Sequence, residues 1–350
     1  MVTVFAMAAA LWGLGTLIGA PKRLRWGMIL VLWAAVVVLH LVLPDAAPLR
    51  VATGGSVAPW LLLGGAAGIA AAYGRLVLWL RTRAAHVGAV NADDKPLFEE
   101  RELERYARHI VLRELGGPGQ RSLKHARVLV IGAGGLGSPA LMYLAASGVG
   151  TIGVIDADVV ENSNLQRQVI HPDAHIGMPK VFSAQKAMEA QNPYVTVRPY
   201  HRRFDDGFTE SLAGYDLILD GTDNFETRYT ANRMAMSAGI PLISGALSQW
   251  EGQLSVFDPA RGAPCYQCIF PQAPAADLAP SCAEAGVAAP LPGVIGTMMA
   301  MEAVKVITGA GTALRGEMLI YDGLYGESRK IALKPRGDCP VCSGIASGNS

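Results

Sequence analysis

The sequence predicts an α/β domain on a mostly parallel sheet, carried behind three transmembrane helices. Strand-like and helix-like segments alternate from Leu97 onward, the pattern of parallel strands joined by crossover helices. A run of glycines separates one of those strands from the helix that follows it. Three apolar runs fill the first eighty residues.

The apolar runs come first in the chain, at about 2–20, 26–43 and 56–80. Each approaches the roughly 20 residues that a helix needs to cross about 30 Å of hydrocarbon. Trp12, Trp26, Trp60 and Trp79 stand near their ends, where amphipathic rings favour the interface. Lys22, Arg23 and Arg25 occupy the first loop; Asp45 and Arg50 cancel in the second; Arg75, Arg81 and Arg83 come late in or after the third run. Positive loops stay in the cytoplasm, so the N-terminus is expected outside and the C-terminal domain inside. A signal peptide would carry a charged start, and Met1 to Ala20 has no charge. Residues 84–96 read as a polar linker, leaving 1–83 as a membrane region and 97–345 as the α/β domain. Charged residues make up only 17% of the chain, against about 25% in soluble domains, which agrees with a part in lipid. The 30 Lys and Arg against 29 Asp and Glu leave no basic excess for nucleic acid, so that partner is excluded.

Within the domain, 98–115 reads as one helix. Arg127–Ile131 is a β-branched strand running into Gly132-Ala133-Gly134-Gly135-Leu136-Gly137, after which 138–147 reads as a helix. Glycines let backbone N–H groups approach a phosphate, and a helix N-terminus favours the anion. Thr151–Ile155 is the next strand, and Asp156 ends it about 20 residues past the last glycine, where an acid binds ribose hydroxyls. The domain is therefore Rossmann-like, and at this point a nicotinamide-dependent oxidoreductase fits equally well.

The next motifs separate the two readings. Asp158-Val-Val-Glu161-Asn162-Ser163-Asn164-Leu165-Gln166-Arg167-Gln168 is followed by Gly177-Met178-Pro179-Lys180 and Asp220-Gly221-Thr222-Asp223-Asn224, with Arg105-Tyr106-Ala107-Arg108-His109-Ile110 upstream. Together these resemble the MoeB/ThiF/HesA family, relatives of the ubiquitin-activating enzymes, from about residue 97 to 342. The resemblance implies an adenylyltransferase, a nucleotidyltransferase joining the C-terminal glycine carboxylate of a ubiquitin-like sulfur carrier to AMP from ATP, with release of pyrophosphate. Two anions must meet, so the site needs cations and a metal. The resemblance assigns Gly132, Gly134, Gly135, Gly137, Asp156, Ser163, Asn164, Leu165, Gln166 and Asn224 to nucleotide binding. It places Arg167 and Lys180 on the phosphates and Asp223 on Mg²⁺. Arg108 resembles the arginine that reaches into a neighbouring subunit's site, which implies a homodimer. His109 departs from the glutamine common in relatives.

All five cysteines lie at or beyond Cys265, which does not fit a small secreted disulfide scaffold. Cys265-Tyr-Gln-Cys268 and Cys339-Pro-Val-Cys342 are two CxxC pairs that can close a tetrahedral Cys₄ zinc site with no open position, hence a structural one. Cys282 lies in a stretch of small residues. A thiolate there can attack the acyl-adenylate or carry sulfur, as in some family members; the alternative is an incidental loop cysteine.

The expectation is thus a membrane-tethered enzyme using ATP, Mg²⁺ and Zn²⁺ on a carrier of the molybdopterin-synthase type, in molybdenum cofactor biosynthesis. The thiamine-pathway carrier is the alternative, and a non-catalytic membrane scaffold that docks carriers is a third reading.

Overall fold

The computed structural model describes residues 1–87, 97–273 and 285–343, with side chains to residue 80 in the first stretch. The chain divides into two compact units, Met1–Pro96 and Leu97–Ser350.

Among its described residues the first unit holds four helices: α1 (Val2–Leu17), α2 (Lys22–Val42), α3 (Pro48–Ala52) and α4 (Ala58–Val87). Val4, Val36 and Trp60 are buried together at its centre. The Trp33 indole donates to the Trp60 carbonyl at 2.9 Å, and a Cβ on Gly64 would lie 2.2 Å from the Trp33 ring, so that position must be glycine for the helices to close. Leu30, Val38, Leu62 and Ile69 face outward, an apolar exterior unlike that of a water-soluble bundle. Two boundaries differ from the sequence reading. The first run forms a helix of 16 residues, about 24 Å at 1.5 Å per residue and short of a bilayer's hydrocarbon. α4 continues to Val87, into the segment expected to be linker. Lys22–Val42 and Ala58–Leu80 are long and apolar enough to cross a membrane; so is Pro290–Thr308, in the other unit.

In the second unit eight strands form one sheet in the order β3-β2-β1-β4-β5-β6-β7-β8. These are β1 (Arg127–Ile131), β2 (Thr151–Ile155), β3 (Thr196–Tyr200), β4 (Leu217–Asp220), β5 (Leu242–Leu247), β6 (Glu251–Phe257), β7 (Glu317–Asp322) and β8 (Glu327–Ala332). The first five run parallel and the last three pair antiparallel, so the fold is Rossmann-like with an antiparallel extension. Val128 to Ile131 and Ile152 to Ile155 are all buried; a parallel strand covered on both faces must be apolar throughout.

Helices α8 (Gly137–Ser147) and α9 (Lys180–Gln191) cover one part of the sheet, and α13 (Pro290–Thr308) packs against α8, β5 and β6. α13 approaches closely because a Cβ on Gly296 would sit 2.3 Å from the Leu136 carbonyl oxygen. This contact explains an apolar helix of 19 residues without lipid: its stripe is spent on the core. The predicted 98–115 helix is broken into α5 (Glu100–Arg105) and α6 (Ala107–Ile110) at Tyr106. That ring is drawn inward, where it accepts from Asn192 at 2.8 Å and lies against Gly148.

Candidate active site

β1 is flanked by β2 on one side and β4 on the other. Chain direction diverges there, and in open parallel sheets the crevice beyond the strand ends at such a switch point is where ligands bind. Three loops meet at it: the 132–137 turn after β1, Asp156 and Asp158 after β2, and 221–224 after β4. They border an open cleft of about 1760 Å³.

The turn is shaped for close backbone approach. Gly132 has φ +92°, open to glycine at little cost, and a Cβ on Gly137 would fall 1.9 Å from the Gly132 carbonyl oxygen. Asp156 braces it from below, accepting from Ala133 N–H and Asp158 N–H, both at 2.8 Å. α8 starts directly after the turn.

Lys180 reaches the cleft through a short backbone pairing. Val160 N–H donates to Met178 C=O at 2.8 Å and Lys180 N–H to Asp158 C=O at 2.9 Å. Its ammonium then donates to the Asp158 carboxylate at 2.9 Å. Arg167 lines the same cleft and, among the described residues, makes one weak bond, 3.4 Å to the Ser163 carbonyl. Asn164 also lines the cleft, oriented by Gln168, whose amide donates to Asn164 Oδ1 at 2.7 Å.

On the β4 side, Asp220 is fully buried and accepts from Thr222 N–H and Oγ1 at 3.0 and 2.7 Å. That turn points Asp223 into the cleft, exposed and with no hydrogen-bond or ion-pair partner among the described residues. A free carboxylate beside a phosphate site suits Mg²⁺, which binds proteins through one or two carboxylates and completes its shell with phosphate and water. Asn224 lines the cleft but caps helix α11 (Phe225–Ala238), accepting from Thr227 N–H at 2.8 Å.

Not every predicted residue comes to this cleft. Gly137, Ser163, Leu165 and Gln166 do not line it, and neither does Arg108, which is exposed on α6. Cys282 lies outside the described residues. The sequence reading missed Arg228, Arg202 and Arg203, which do line it. Arg228 is buried and donates to Gly245 C=O at 2.8 Å and to Thr222 C=O, so it holds the Asp223 turn against β5. An arginine inside a helix carries no sign of this in its spacing.

The four CxxC thiols converge, all within 4.8 Å of one another and buried. Sγ separations are 3.8 Å for Cys265–Cys268, 3.6 Å for Cys265–Cys339 and 3.2 Å for Cys268–Cys342. A tetrahedral Zn–S bond of about 2.3 Å requires edges near 3.8 Å, so the donor set fits zinc. Burial pushes the Cys265 thiol up to about 11. Burial acts in the same sense on Cys339, but hydrogen bonds from the Val341 and Cys342 backbone and from neighbouring thiols outweigh it and bring that thiol to about 7.

The sequence pattern of the ThiF family matches residues 106–341. The chain belongs to the ThiF family. Like its relatives it is an adenylyltransferase. The sulfur carrier protein adenylyltransferase of Thermus thermophilus is 47% identical over 246 residues, covering 69% of this chain and 91% of that protein. The molybdopterin-synthase adenylyltransferase of Salmonella typhimurium is 44% identical over 244 residues, covering 69% and 97%. The fold resembles that of PaaA, at a TM-score of 0.60 and 24% identity over 74% of this chain and 82% of that one. It likewise resembles E. coli MccB crystallised with ATP, at 0.60 and 22% over 68% and 74%.

Proposed function

We propose that this ThiF-family chain adenylates the C-terminal glycine of a ubiquitin-like sulfur carrier, foremost the small subunit of a molybdopterin synthase. The observation that carries the reading is the gathering of Arg167, Lys180, Asp156 and Asp223 from four segments around one glycine turn. A carboxylate oxygen of the carrier attacks the α-phosphorus, an O–P bond forms, and the bond to the bridging oxygen breaks to release pyrophosphate. Asp156 would accept from the ribose hydroxyls, while Arg167 and Lys180 offset charge on the phosphates. Mg²⁺ held by Asp223 would neutralise charge on the phosphate oxygens. Fixed cations in a cleft lower the barrier because they need no rearrangement when that charge develops.

The names of the Salmonella and Thermus relatives support the carrier as substrate. The family pattern supports a thiamine-pathway carrier as the second reading. Arg108, exposed and away from its own cleft, suits a residue lent to a second copy in a homodimer. Helices 22–42 and 58–80 support a membrane-bound enzyme, and the positive charge at Lys22, Arg23, Arg25, Arg81 and Arg83 supports an adenylating unit in the cytoplasm. Carrier-dependent ATP–pyrophosphate exchange with purified carriers of both types tests the proposal. Exchange with a molybdopterin-synthase small subunit alone supports the first reading, and exchange with neither carrier overturns both.

A further inference from the structure

His171 lies four residues past Arg167, buried, and the reaction described above gives it no task. Its Nε2 is 2.9 Å from the Ala133 carbonyl oxygen and its Nδ1 is 2.9 Å from Ser183 Oγ. Ser183 Oγ is in turn 2.8 Å from His175 Nδ1.

With His171 neutral, the chemistry of these atoms fixes the direction of every bond. A carbonyl only accepts, so Nε2 carries a proton and donates to Ala133. A neutral imidazole then has Nδ1 as acceptor, and the Ser183 hydroxyl donates to it. With its hydrogen committed, Ser183 Oγ accepts from His175 Nδ1–H. The result is a one-way chain: His175 to Ser183 to His171 to the glycine turn. Burial lowers the His171 pKa, Lys180 and His175 acting in the same sense, while the Ala133 carbonyl and Asp156 oppose; the neutral form agrees with this chain.

We infer that His171 is a positioning residue that locks the phosphate-facing parts of the cleft into one register. Ala133 is held at both ends, its N–H by Asp156 and its C=O by His171. His171 also belongs to the segment bearing Asn164 and Arg167. Through Ser183, one turn along from Lys180 on α9, it is tied to the helix that carries the buried lysine. One imidazole therefore joins the turn, the arginine segment and the lysine helix. Without it, the buried Ala133 carbonyl keeps only the long 3.4 Å bond from Ser138 Oγ, and the turn loses its main anchor.

The inference rests on the reading that this turn binds ATP, and the test separates the two. ATP Kd by calorimetry, exchange kinetics and hydrogen exchange of the 132–137 backbone are measured on the full chain in detergent, as wild type and as His171→Leu, His171→Gln and Ser183→Ala. A glutamine amide can replace the Nε2–H donor, whereas leucine cannot. His171→Leu is expected to raise the ATP Kd roughly tenfold, speed hydrogen exchange in the turn and raise the KM for ATP more than it lowers kcat. His171→Gln restores most of each, and Ser183→Ala, which keeps the ring but frees it to swing, falls between. Wild-type binding that His171→Leu leaves unchanged overturns the inference. Equal loss in His171→Leu and His171→Gln overturns it also, since the donor would then not be what matters. A wild type that binds no ATP overturns the nucleotide reading itself. Should His171→Leu fail to fold, the Ser183→Ala and His171→Gln pair decides alone: equal turn exchange and ATP affinity in both and in wild type sinks the relay.

Discussion

Lys180 and Asp158 form an ion pair of 2.9 Å in which the lysine side chain is 6% exposed and the aspartate 70%. The asymmetry decides what each substitution does. An exposed carboxylate tolerates losing its partner, whereas a buried ammonium left unpaired is costly. Asp158→Asn should therefore lower the Tm without nucleotide and enlarge the Tm rise on adding ATP, since phosphate supplies the missing anion. Lys180→Met should lose little stability but most of the ATP-induced rise. Thermal melts with and without ATP check both, and matching ATP-induced rises in the two variants would contradict this account.

The proposed function puts Asp223 and Cys282 in different steps. Asp223→Ala should reduce carrier-dependent ATP–pyrophosphate exchange at least about a hundredfold, because metal stabilisation amounts to several kcal/mol and each 1.36 kcal/mol is tenfold in rate. Cys282→Ala should leave exchange near wild type while abolishing any thiol-sensitive adduct with the carrier. Loss of exchange in Cys282→Ala alone would reverse the proposed order of steps.

Substituting Cys268 or Cys342 by Ser should release about one equivalent of zinc and destabilise the α/β unit, as structural zinc sites in small domains reach roughly 10–16 kcal/mol. Metal analysis alongside denaturation measures this. A metal-free double variant of unchanged stability would remove the zinc assignment.

His171 gives stability a pH dependence of known sign. Burial holds its folded pKa below the ordinary 6.5, with Lys180 and His175 adding to it and Asp156 opposing. The unfolded chain therefore binds more protons between the two values, and stability falls as pH drops below about 6.5 until the folded pKa is passed. His171→Gln should flatten that part of the stability profile. An unchanged slope in chemical denaturation between pH 5 and 7 would assign it to other groups.

Reporter fusions give the orientation of the first unit. A fusion after Arg83 should behave as cytoplasmic and one near Ala47 as external. The reverse pattern would remove the site from cytosolic ATP.

Strands β1 and β2 were legible to the residue, since buried parallel strands are apolar throughout and glycine punctuates both. The glycine turn, Asp156 and Lys180 were legible as motif residues, though not the backbone pairing that lifts Lys180 to the cleft. β8 was not legible: all its residues are exposed, so no apolar face marks it. The break at Tyr106 depends on Asn192, 86 residues away, and Arg228 on a turn that exists only once β4 and β5 are paired. Hydropathy alone also does not separate α13 from α4. Both pass as spans by composition, and only the packing of α13 under the glycine turn tells them apart.

The cysteine pairs stand 74 positions apart, Cys265 against Cys339 and Cys268 against Cys342. A metal held by them staples a long loop shut. By chain-entropy reasoning such a crosslink takes about 4 kcal/mol of disorder from the unfolded chain. The stapled loop contains α13, whose Pro292 supports Gly135 and whose Gly296 lies under Leu136. Scarcity of zinc would then be felt first as a loosened floor beneath the nucleotide, and enzyme output would follow zinc supply without the zinc taking part in the chemistry.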